Sequence, residues 1–241
     1  MKTEISTETL NCILTGTPTA EYWIIRPVHG ADAEQPERLA EQIRALSPGR
    51  EFCLFTITVR DWFGTLSPWP SPAVIGGNSF AGRGAETLHS LETEMLPALR
   101  ARYGSWHRCV LAGYSLAGLF ALWVAYESDC FSGVAAVSPS LWFPGWDDYA
   151  AARTPRTGAV YLSLGDREEK TRNPAMAAVG DAVRTQERLL REQNVPCTLE
   201  WNPGNHFQEP EKRMAKGIAW VLAALEKNGA GSRDLRGNDM G

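Results

Sequence analysis

Short apolar runs alternate with segments of helical period along almost the whole chain, and this alternation limits the possible folds more than any other feature. Tyr22 to Val28 (YWIIRPV) predicts a strand. It is followed by a helix over Ala33 to Leu46, with Leu39, Ile43 and Leu46 on one face and Pro36 in the first turn. Phe52 to Val59 (FCLFTITV) is almost continuous in β-branched and aromatic residues, as a strand covered on both faces should be. A loop rich in Pro, Gly and Trp over Arg60 to Gly84 leads into a helix from Ala85 to Tyr103. That helix lines up Leu88, Leu91, Met95 and Leu99, and Pro97 should kink it. Strands follow at Arg108 to Ala112, Gly133 to Val137, Ala159 to Leu164 and Cys197 to Trp201. Helices are predicted from near Leu116, over about Ala175 to Gln193, and over Pro210 to Glu226, the last with Met214, Ile218, Val221, Leu222 and Leu225 inward. Strand and helix in repeated succession imply an α/β fold, a mostly parallel sheet with helices on both faces. Ligands of such sheets bind outside the carboxyl ends of the strands.

At roughly 100 to 200 residues per domain, the 241 residues fit one domain over residues 1–227. The tail, 228–241, is dominated by Gly, Ser, Asp, Asn and Arg and is expected to be unstructured. The 24 basic and 28 acidic residues give a net charge of −4 without a basic run, which argues against nucleic acid as a partner. MKTEISTETL at the start has no apolar stretch, and the most apolar run, Leu119 to Ala125, is too short to cross a bilayer. A soluble, unexported protein is expected. Cys12, Cys53, Cys109, Cys130 and Cys197 are odd in number and lack CxxC spacing, so they predict reduced thiols in a cytoplasm. No metal-ligand cluster, P-loop or dinucleotide fingerprint is present, so neither a metal nor a cofactor is expected.

The chemistry concentrates after the strand Arg108 to Ala112. Gly113-Tyr114-Ser115-Leu116-Ala117-Gly118 follows it directly and opens an apolar helix, LFALWVAY. A serine on a sharp strand-to-helix turn exposes its hydroxyl above the sheet, provided the residues two before and two after it are very small. Gly113 and Ala117 meet that need. Ala117 departs from the usual glycine, and its small side chain and the adjacent Gly118 soften the departure.

A serine hydroxyl needs a base. Of the four histidines, His89 lies mid-helix, His107 precedes the serine strand and His29 sits in the first strand-to-helix loop. His206 follows the last strand in Trp201-Asn202-Pro203-Gly204-Asn205-His206-Phe207, on the same sheet edge as Ser115, and is the candidate base. The orienting acid should follow the strand Ala159 to Leu164, where Gly165-Asp166-Arg167-Glu168-Glu169-Lys170 offers three carboxylates. Glu168, three residues past the glycine, has room to curl back toward His206, and Asp166 is its close competitor.

GYSLAGLFALW, VSPSLWF at Val137 to Phe143, the acidic turn Gly165 to Glu169 and GNHF at Gly204 to Phe207 together resemble the esterase D and enterochelin-esterase-like branch of the α/β-hydrolase superfamily. Gly82-Arg83-Gly84-Ala85-Glu86 looks like that family's Gly-Gly-Ala-Glu segment, and the resemblance spans roughly Tyr22 to Leu225. It implies a serine esterase that passes through an acyl-enzyme on Ser115. The oxyanion would then be held by the backbone of Leu116 and of Val28 or His29, with Trp62 in reserve. The short segment before Tyr22 implies that the first strands of the fold are reduced or missing, and no HGGG stretch occurs. Trp62, Phe63, Trp69, Trp142, Phe143 and Trp146 are candidates for pocket walls, with Trp62, Trp69 and Trp142 foremost for substrate binding. Pro139 to Gly158 is too short for a large lid, so small soluble esters are the expected substrates. An acyltransferase using the same triad and a non-catalytic binding protein of this fold are the alternatives.

Overall fold

Two short strands begin the fold, β1 (Thr3–Ser6) and β2 (Asn11–Gly16), paired antiparallel at one edge of the sheet. The computed structural model describes residues 3–6, 11–30, 35–74, 77, 79–104 and 108–234; His107, the expected helix start at Ala33 and residues 235–241 lie outside them. The remaining sheet strands are β3 (Tyr22–His29), β4 (Phe52–Val59), β5 (Arg108–Tyr114), β6 (Gly133–Val137), β7 (Val160–Gly165) and β8 (Cys197–Asn202). The spatial order is β1-β2-β4-β3-β5-β6-β7-β8, with β3 to β8 mutually parallel and β2 antiparallel to β4. The first strands are thus reduced to four and six residues but present. Progression along the sheet reverses between β3 and β5, which opens a crevice above their carboxyl ends.

Helices cover both faces. On one face α1 (Pro36–Leu46) lies beside the closing helix, and Leu39 and Ile43 pack with Met214, Ile218, Val221 and Leu222. Leu46, expected on the same stripe, is 49% exposed, because it is the last helical residue before the chain turns at Ser47. On the opposite face α2 (Gly84–Ser90) continues through a π turn, Leu91–Met95, into α3 (Leu96–Tyr103). The expected effect of Pro97 takes this form: proline lacks the N–H for the α-helical ladder, and the wider turn just before it accommodates the loss. Leu88, Leu91, Met95 and Leu99 are all buried.

The central helix α4 (Leu116–Glu127) is apolar on all sides and buried along nearly its whole length, packed on β5 and β6. The short α5 (Trp146–Ala151) and α6 (Val179–Glu192) complete that face, and α7 (Pro210–Asp234) closes the chain on the other. Helix α7 runs past Asn228, where the tail was expected to start, to Asp234. Once a helix is nucleated, each added residue gains a hydrogen bond for one fixed residue, so extension needs no new burial. None of the described helices is long and apolar enough to cross a membrane.

Candidate active site

Ser115 occupies the turn between β5 and α4 with φ 59° and ψ −122°, a backbone conformation that L-residues rarely adopt. The surroundings enforce it. A Cβ on Gly113 would stand 2.0 Å from the Ala117 carbonyl oxygen, so only glycine fits there. A Cβ on Gly118 would meet the Gly113 and Val137 carbonyls and Pro139 Cα at 3.1 Å, whereas Ala117 is accepted in a fully buried position. The small residue that the helix side of the turn needs is shared between Ala117 and Gly118. Backbone bonds across the turn hold it in place: Ser115 N–H donates to Val137 O at 3.1 Å, and Ser140 N–H donates to Ser115 O at 3.1 Å. The Ser140 hydroxyl lies 3.4 Å from Ser115 Oγ.

His206 Nε2 lies 3.0 Å from Ser115 Oγ, and its Nδ1 lies 2.7 Å from Glu168 Oε2. With Nδ1–H donating to the carboxylate, Nε2 is free to accept the serine proton. Glu168 sits in a 3₁₀ turn, Glu168–Lys170, directly after β7, and its side chain is 5% exposed. Its Oε1 accepts from Gly165 N–H at 2.7 Å, the Ser138 hydroxyl at 2.8 Å and Arg213 Nη1 at 3.1 Å. Burial alone would push this carboxyl up, but hydrogen bonding and attraction to His206, with further bonds from Gly165 and Ser138, hold it below the usual carboxylate range.

The three acids of the turn therefore separate. Asp166 accepts from Gly204 N–H at 2.8 Å and so braces the loop that carries His206. Glu169 pairs with Arg184 at 3.0 Å. Only Glu168 reaches the imidazole.

A cavity opens on each side of Ser115. One, of about 470 Å³, is lined by Arg26, Pro27, Val28, His29, Gln35, Trp62, Glu211 and Met214. The other, of about 490 Å³, is lined by Trp62, Phe63, Phe80, Trp142, Met176, Arg167 and Lys170. Both are also bordered by Ser115, His206 and Phe207, and Phe207 is 85% exposed. Val28 and His29 thus share a cavity with Ser115, and Leu116 lines the other at the α4 terminus, where the first helical N–H groups lack partners within the helix.

Trp62 and Trp142 stand where pocket walls were expected. Trp69 does not: it lines neither cavity, packing against Phe143 and Tyr149 while its indole N–H donates to Pro144 O at 2.9 Å. Phe143 and Trp146 are likewise core residues. An aromatic ring that finds both a packing surface and a hydrogen-bond acceptor is satisfied without a ligand.

Residues 66–209, more than half of the chain, match the protein family described as "Putative esterase". The chain belongs to the Esterase family. This makes it a carboxylic ester hydrolase, and no curated protein matches it. The esterase fold is seen again in solved structures. An IroE-like serine hydrolase from Shewanella oneidensis has a TM-score of 0.74 at 14% identity, over 91% of this chain and 79% of that one. The siderophore hydrolase EstA from Aspergillus nidulans gives 0.66 at 16%, over 92% and 94%. The enterobactin esterase FES from Shigella flexneri, solved in the presence of 2,3-di-hydroxy-N-benzoyl-glycine, gives 0.67 at 16%, over 93% of this chain and 59% of that one.

Two residues of this site are not singled out by the sequence. Ser138, at φ 44° after β6, donates to Glu168, and the readable signal was a polar residue directly after a buried strand. Arg213 lies in the first turn of α7, and its signal was a charge on the same helical stripe as Gly217 and the inward Val221. Among the described residues no cluster could hold a metal ion. Burial pushes the Cys53 thiol up to about 12 and the Cys109 thiol to about 11, which leaves neither as a competing nucleophile.

Proposed function

We propose that this esterase cleaves small soluble esters through an acyl-enzyme on Ser115, with His206 as base and Glu168 as the orienting acid. The observation that carries the reading is the unbroken relay of Ser115 Oγ, His206 and Glu168, at 3.0 Å and 2.7 Å, on a strained turn. His206 takes the serine proton as Oγ attacks the ester carbonyl, and the imidazolium is stabilised by the buried Glu168 carboxylate. The developing oxyanion is held by the Leu116 N–H, aided by the helix terminus behind it, and by the backbone of Val28 or His29. His206 then protonates the departing alcohol. A water activated by the same nitrogen attacks the acyl-enzyme, releasing the acid and restoring Ser115.

The two cavities suit the two halves of an ester. The chamber of Trp62, Phe63, Phe80 and Trp142 suits an aromatic portion, and Arg167 and Lys170 at its edge, which form no ion pair among the described residues, favour electronegative substituents on it. The presence of 2,3-di-hydroxy-N-benzoyl-glycine, a hydroxylated aromatic molecule, in the structure of the enterobactin esterase supports the same class of substrate. All five cysteines are free, which supports a reducing compartment such as the cytoplasm.

The test is hydrolysis of an ester series graded by acyl length and aromatic content, paired with fluorophosphonate labelling and peptide mapping. Turnover with label confined to Ser115 supports the reading. Label at Ser138 or Ser140, or none on folded protein, would sink it.

A further inference from the structure

Beyond the three residues of the relay, and resting on that reading, we propose that Arg213 is the positioning residue of the site, a clamp that locks the acid turn to the histidine loop. Its side chain is 2% exposed, at the start of α7. Nη1 donates to Glu168 Oε1 at 3.1 Å, with Ser138 Oγ at 3.4 Å and the Tyr114 hydroxyl at 3.5 Å around it. Nη2 donates to the carbonyls of Pro203 and Asn205, both at 3.0 Å. The next carbonyl, of His206 itself, accepts from the Tyr114 hydroxyl at 2.5 Å, one residue before the nucleophile. One guanidinium therefore grips the carboxylate that faces the imidazole and the backbone that carries the imidazole.

Three features favour a geometric role. A buried ion pair adds little net stability, because desolvation of the two charges offsets their attraction. Its value here lies in direction: Arg213 and Ser138 occupy Oε1 and leave Oε2 for His206. The planar fork also presents separate nitrogens to the two elements, Nη1 to the acid turn and Nη2 to the histidine loop, in a fixed geometry that the single nitrogen of a lysine does not reproduce. Finally, the three parts are closely packed. A Cβ on Gly165 would stand 2.4 Å from Gly204 O, 2.9 Å from Glu168 Oε1 and 3.1 Å from Arg213 Nη1, so only glycine lets them meet.

The experiment compares Arg213→Met, Arg213→Lys and His206→Ala with the wild type on one ester, well below each melting temperature. A 1 Å misplacement can cost about a hundredfold, so Arg213→Met is expected to lower kcat by roughly 10- to 100-fold with KM nearly unchanged. Arg213→Lys should fall between it and the wild type. The downfield proton resonance of the His206–Glu168 hydrogen bond should be lost or broadened in Arg213→Met. Wild-type kcat in folded Arg213→Met, or a loss of kcat with that resonance intact, overturns the proposal. If Arg213→Met does not fold, wild-type kcat in Arg213→Lys overturns it. An inactive His206→Ala beside fully active Arg213 variants removes the clamp alone, whereas an active His206→Ala removes the relay and the clamp with it.

Discussion

The two halves of the site are built in different ways. Ser115 is set by a few consecutive residues, a strand, a strained turn and a helix start whose backbone atoms are so closely packed that Gly113 has no substitute. His206 and Glu168 come from loops 38 residues apart, and side chains hold them together: Asp166 on Gly204, Arg213 on both loops and Tyr114 on the His206 carbonyl. Local packing gives Ser115 its geometry at a cost in backbone strain, whereas His206 and Glu168 get theirs from buried polar contacts between distant segments. Damage to the backbone packing of the first half, as distinct from removal of the Ser115 hydroxyl itself, should therefore appear in folding. Damage to the second should appear in turnover with the fold kept.

The largest expected effect tests whether the two halves work as a unit. Ser115→Ala and His206→Ala should each cost about 10⁶ in kcat, and the double variant little more, as members of a cooperating triad do. A double variant that lost the product of the two effects would make them independent groups.

Glu168→Gln comes next, with a loss of about 10⁴ in kcat, because the amide leaves the imidazole in the wrong tautomer. Stability should separate it too. Glu168 is held below its ordinary range in the folded state, so its ionised form contributes stability that is fully present above that range and lost as pH falls through the lowered value. Melting temperature against pH should thus fall more steeply on the acid side for the wild type than for Glu168→Gln. Parallel curves would mean that another carboxylate carries that dependence.

Gly113→Ala probes the other half. The added methyl meets the Ala117 carbonyl, and relieving that clash should cost roughly 1–3 kcal/mol. Thermal melts check it, and an unchanged melting temperature with lost kcat would erase the contrast between the two halves.

Asp166→Asn should do least. The amide oxygen can still accept from Gly204 N–H, so stability should change by less than about 1 kcal/mol and kcat should stay close to wild type. A crippled Asp166→Asn beside a near-normal Glu168→Gln would reverse the assignment of the acid.

Much of this is legible in the sequence. The strands and helices follow from hydrophobic period, and the strand-to-helix turn at Ser115 from a glycine, a serine and small residues between a strand and a helix, all signals confined to neighbouring residues. His206 stood out by its place after the last strand. The aromatic residues were harder to sort, because Trp69 and Trp142 belong to similar loops and differ only in what lies opposite each indole. Leu46 was misplaced because helical period does not say where the underlying surface ends.

The sequence by itself determined the α/β alternation, the turn on which Ser115 sits and the sheet edge that His206 shares with it, because each depends on short-range sterics and periodicity. Tertiary structure alone brought Glu168 rather than Asp166 to His206, placed Ser138 and Arg213 on that carboxylate, and divided the cleft into two chambers. Those outcomes depend on how loops from separate strand ends meet, through hydrogen bonds whose partners lie up to 99 residues apart. Asp166 and Glu168 differ in direction and in one methylene of reach, and direction is set by the packed chain around them.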